Sequence, residues 1–72
     1  MKIRYDSDAD ALDIRLTEEK VECEMIHLSD QLTLDIGPEG KVVAIEILDA
    51  SELVPSLKAR EVTLENLLLK TG

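Results

Sequence analysis

Five stretches of this chain alternate apolar and polar residues with a period of two, and short turn-rich links separate them. Ile3 and Tyr5 alternate with Lys2 and Arg4, and Leu12, Ile14 and Leu16 with Asp13 and Arg15. Val21, Cys23 and Met25 alternate with Glu22 and Glu24, and Leu32, Leu34 and Ile36 with Thr33 and Asp35. Val43, Ile45 and Ile47 alternate with Ala44 and Glu46. A period of two puts successive side chains on opposite faces of a strand, so each stretch reads as a half-buried strand. The links are residues 6–10, "TEEK", "LSDQ" and "GPEGK". In the last, Pro38 pre-sets a turn and Gly40 is free to take positive φ. Links this short favour antiparallel neighbours. The expected class is therefore α+β, mainly β: an antiparallel β-meander of about five strands with a short C-terminal helical segment packed on the sheet.

One face of such a sheet is apolar and needs a cover. Residues 1–54 read as the β module, and residues 55–72 as a helical tail of the same domain. Pro55 can open a helical turn spanning Leu57. Thr63 can cap a later helix with Leu64, Leu67 and Leu68 on one stripe. Those three leucines suit a covering role or a partner's groove. With regular strands, Ile26, Leu28, Val42, Ala44 and Leu48 fall on the second face. A bulge between Met25 and Leu28 would change that count. Apolar groups on both faces point to self-association, and so to a homodimer, or to coverage by the tail.

The chain has 72 residues. A domain this small buries only about 60% of its unfolded surface and commonly needs an added source of stability. Cys23 is the single cysteine, so no disulfide forms within the chain. A lone thiol suits a reducing compartment, and no apolar run suggests a leader or a membrane span. The expected location is the cytoplasm. The net charge is −8 and lies entirely in residues 1–50. Nucleic-acid affinity needs basic stripes or stacking platforms. Here there is no basic stripe, and Tyr5 is the only aromatic residue. Direct nucleic-acid binding is not expected. A small basic protein is a compatible partner.

The chemical candidates are few. Asp6, Asp8 and Asp10 recur at every second position, as oxygen ligands do at the start of a calcium loop. Counted from Asp6, however, the required glycine and closing glutamate are replaced by Ala11 and Thr17. A Ca²⁺ or Mg²⁺ site on these three aspartates is the alternative to a plain Asx-turn between strands. Cys23 and His27 on one strand would lie ~13 Å apart, beyond nucleophile–base reach. They read as a small core residue and a strand-end polar residue. "GPEGK" lacks the spacing of a phosphate loop. No cofactor is expected.

"YDSDADALDIRL" at residues 5–16 and "GKVVAIEILDAS" at residues 40–51 together resemble the small prokaryotic proteins of domain-of-unknown-function family 2283 (DUF2283). Tyr5, Asp6, Ala9, Asp10, Ala11, Leu12 and Ile14 carry the first pattern. Gly40, Val42, Val43 and the run Ile45–Ser51 carry the second. Asp13 stands where an aromatic is common, and Ala44 where glycine is common. The resemblance covers about residues 1–54. It implies a compact antiparallel β module with the acidic turn as a signature of the fold. It implies no activity. Members can be encoded beside small toxins, which implies an antitoxin-like role. The resulting expectation is a non-catalytic protein-interaction module.

Overall fold

The structure, a computed structural model, describes residues 1–57. Its elements are β1 (Lys2–Asp6), β2 (Ala11–Arg15), β3 (Glu24–His27), β4 (Leu32–Ile36), β5 (Val42–Leu48) and α1 (Ala50–Leu53). Short 3-10 turns occupy Pro38–Gly40 and Pro55–Leu57. The strands form one five-stranded sheet in the order β1-β2-β5-β4-β3, with every pair antiparallel. The expected mainly-β architecture is the one the chain adopts. Within it, the β1–β2 hairpin and the β3–β4–β5 meander lie side by side, and β5 joins them at the centre.

That order explains the link between β2 and β3. To reach the far edge, residues 16–23 must pass the ends of β5 and β4, about 14 Å at the usual strand spacing. Val21 and Cys23 are spent on this passage and are not part of a strand. Cys23 is exposed rather than a core residue, with its Sγ 3.5 Å from the carbonyl of Val21.

The ladder fixes the faces. One row runs Tyr5, Leu12, Ile47, Leu32, and the next runs Ile3, Ile14, Ile45, Leu34, Ile26. Cross-strand neighbours share a face, so Ile26 belongs to the apolar face. Met25 belongs to the other one, beside Asp35. The expected assignment of these two residues is reversed, because β3 starts at Glu24 and its phase is set by β4. On the polar face Asp13 stands between Arg4 and Glu46.

A bulge falls on β5. Asp35 faces Ala44 while Ile36 faces Val42, so Val43 is the extra residue. Val43 is buried at 4% exposure. Its packing depends on Gly37 in the adjoining turn, where an added Cβ would lie 2.8 Å from a Val43 methyl and 3.4 Å from one of Val21.

α1 and the turn after it fold back over one end of the apolar face. Leu12, Ala50 and Leu57 form the buried cluster, with Tyr5, Ile14, Ile47 and Val54 packed against it. The Pro55–Leu57 turn is where Pro55 was expected to open one. Leu64, Leu67 and Leu68 lie outside the described residues. Among the described residues, no helix is long and apolar enough to cross a membrane.

Candidate functional site

The acidic turn is built by two aspartates with different jobs. Asp6 Oδ1 accepts the backbone N–H groups of Asp8 at 3.0 Å and Ala9 at 3.2 Å. This is an Asx-turn, which satisfies the donors of a chain reversing between strands. Asp10 closes the turn in the left-handed region, at φ 51°. Aspartate tolerates that region better than most residues. This geometry aims its carboxylate away from the turn and back over the sheet.

Among the described residues, Tyr5 and Ser51 donate to that carboxylate. The Tyr5 hydroxyl donates to Oδ1 at 2.6 Å, and so does the Ser51 N–H at 3.0 Å. The Ser51 hydroxyl donates to Oδ2 at 2.7 Å. The Asp10 carbonyl also accepts the N–H of Ala50 at 2.9 Å. The first N–H groups of a helix have no partner within it. Asp49, the residue before α1, adopts φ 50° and gives no side-chain cap. Asp10 therefore caps α1 from 41 residues away in the chain.

The opposite side of α1 is held by the β3–β4 turn. Gln31 Nε2 donates to the Leu48 carbonyl and to Glu52 Oε2, both at 3.3 Å. The Gln31 carbonyl accepts Leu48 N–H at 2.8 Å. Two hairpin turns thus grip the junction between β5 and α1 from either side.

The electrostatics follow from this geometry. The hydrogen bond to Asp10 is the main cause of a raised Tyr5 pKa. Burial and the negative charges of Asp10 and Asp6 act in the same direction, since each disfavours a phenolate.

The three aspartates are not gathered about a common point. Asp6 serves its own turn and Asp10 serves Tyr5 and Ser51. Among the described residues, no three His, Cys, Asp or Glu side chains come together in a way that could hold a metal ion. His27 sits on the far edge strand, where Nδ1 lies 2.9 Å from Thr33 Oγ1. Chemically, the Asp10 joint is a brace: hydroxyls donate to a carboxylate and lock two parts of the chain together.

A family model described as a protein of unknown function, DUF2283, matches residues 2–51. The chain belongs to the DUF2283 family. The matched span starts with β1 and ends on Ser51, so both halves of the Asp10 joint lie inside it. No curated protein and no solved structure matches the chain.

Both stretches of this DUF2283 chain were visible as motifs, but their meeting was not. Ser51 and Gln31 went unnoticed as structural residues. Their partners lie 41 and 17 or more positions away, and no local pattern encodes that. The available signal was the pairing itself: a lone tyrosine and aspartate at one turn, and an Asp-Ala-Ser run just after β5.

Proposed function

We propose that this DUF2283 protein is a non-catalytic interaction module that acts in the cytoplasm by holding a small basic protein, in the manner of an antitoxin. The observation that carries this reading is the edge strand β3. It pairs with β4 on one side and ends the sheet on the other. All four of its residues are exposed. Met25 is 58% exposed, and Leu28 just beyond it is also 58% exposed. Glu22 and Glu24 flank these apolar groups. A free, partly apolar strand edge is a template for an added strand. Acidic flanks favour a basic partner and speed its encounter. Residues 1–57 hold fourteen acids and five bases, a net −9, which extends that field.

The test is native mass spectrometry of tagged protein purified gently from its own cells. The expected result is an added mass of a small basic protein, lost in the Glu22→Lys/Glu24→Lys variant. Wild type with no added mass defeats the proposal. A doubled mass instead identifies a second copy as the partner. A complex that survives the charge reversal places the contact elsewhere.

A further inference from the structure

We propose that the open end of the β1–β2 hairpin binds a small phosphorylated molecule, held by Lys2, Arg15 and Lys20. These three bases line one hollow of about 460 Å³, together with Glu18, Glu19 and Val21. Sites for small molecules commonly measure about 300–1,000 Å³. Residues 1–57 hold five bases against fourteen acids. Three of those five bases gather here, so the hollow is lined by a net +1 within a domain of −9.

Two further observations select an anion. The first is the ladder. Lys2 stands directly opposite Arg15 on the polar face. Like charges so placed oppose strand pairing. The next pair on that face, Arg4 opposite Asp13, has opposite signs. The hairpin thus carries a cationic pair at its open end, and an anion seated between the two turns repulsion into attraction. The second is what surrounds the bases. Among the described residues, the one ion pair is Lys41–Glu39 at 3.8 Å, in the β4–β5 turn. No described carboxylate is ion-paired with Lys2, Arg15 or Lys20. Asp6, at the far end of β1, is ~13 Å from Lys2 at the usual strand rise, beyond the ~8 Å screening length of physiological salt. The acidic turn therefore leaves the local field intact.

The side chains suit a phosphoryl group. Arg15 is half-buried on β2, and its planar fork fits two phosphate oxygens at once. The Glu19 N–H donates to Thr17 Oγ1 at 3.2 Å, which bends the chain directly after β2. The link then carries Lys20 to the same hollow as Lys2. Both lysines are exposed and supply flexible point charges. Val21 offers an apolar contact to the carbon portion of the ligand. Glu18 and Glu19 repel a polyanion and so restrict the hollow to a single phosphoryl group. The site lies at the β1 edge of the sheet and does not rest on the partner contact proposed at β3.

The experiment is a titration of the full-length protein with glycerol phosphate and, separately, with inorganic phosphate, followed by nitrogen–proton correlation spectra at constant ionic strength. Saturable shifts at Lys2, Arg15 and Lys20 are expected with both, with tighter binding of glycerol phosphate. Lys2→Gln/Arg15→Gln should weaken both by about tenfold or more, and Lys41→Gln should leave them unchanged. Lys20→Gln, on the exposed link, serves in place of the double variant if that one loses its dispersed spectrum. Shifts that do not saturate, that sodium chloride reproduces, or that weaken equally in Lys41→Gln overturn the proposal. Binding of inorganic phosphate without glycerol phosphate overturns it in favour of the free ion.

Discussion

Tyr5 is the chain's only aromatic side chain, so its ionisation can be followed by ultraviolet absorbance with nothing overlapping it. Its bond to Asp10 makes that signal a reporter of the joint between the acidic turn and α1. The phenol pKa is raised above the ordinary value of 10.0. The folded state therefore holds this proton more tightly than the unfolded chain does. The resulting contribution to stability is fully present below about pH 10 and is lost as pH rises through the higher folded value. Tyrosinate absorbance should thus develop at a higher pH in the folded protein than in the same protein in denaturant. Asp10→Asn removes the charge and should bring the folded midpoint back down. A wild-type midpoint equal to the denatured one would mean that the hydrogen bond does not form in solution.

At the level of elements, the bulge on β5 and the turn beside it are one packed unit. Gly37→Ala pushes a methyl group to 2.8 Å from a side chain buried in the central strand. Overpacking of this kind costs about 1–3 kcal/mol. Urea unfolding followed by circular dichroism should show a lower midpoint with an unchanged slope. The same elements show what sequence can and cannot specify. The alternation in β1, β2, β4 and β5 is local physics, and it placed Tyr5, Leu12, Ile45 and Ile47 on the apolar face. Residues 21–25 alternate just as cleanly, yet only Glu24 and Met25 lie in a strand. The passage past the ends of β5 and β4 consumes the others, and that demand comes from strand order. The phase of Met25 and Ile26 was likewise decided by β4, not by their own neighbours. α1 is too short to show a helical period. It exists because Asp49 turns the chain and Asp10 caps it, and that contact has no signature in either stretch alone. The Asx-turn at Asp6 was legible for the opposite reason: donor and acceptor are two and three residues apart.

At the scale of the molecule, the core of the described residues is small. Its buried apolar residues, among those described, are Leu12, Val43, Ala44, Ala50 and Leu57. A domain of this size has a total stability of about 4–11 kcal/mol. Ile45 lies at the crossing of the central strand and the longer apolar row. Ile45→Ala should cost about 2 kcal/mol, the lower end for such truncations, because the side chain is half-buried. Thermal unfolding would show it as a fall in midpoint. A neutral result would mean that the central row contributes little to holding the sheet.

The central position of β5 bears on how the protein comes into being. Among the described strands, the one that joins the two halves is the last to be synthesised. Until it leaves the ribosome, the β1–β2 hairpin and the β3–β4 hairpin are separate two-stranded pieces, and isolated hairpins are marginal in water. Their association waits for contacts between residues far apart in the chain, which slows folding. The nascent protein therefore passes through a stage in which its apolar strands are made but not yet joined. Asp10 can take hold of Ser51 only when that stage is over.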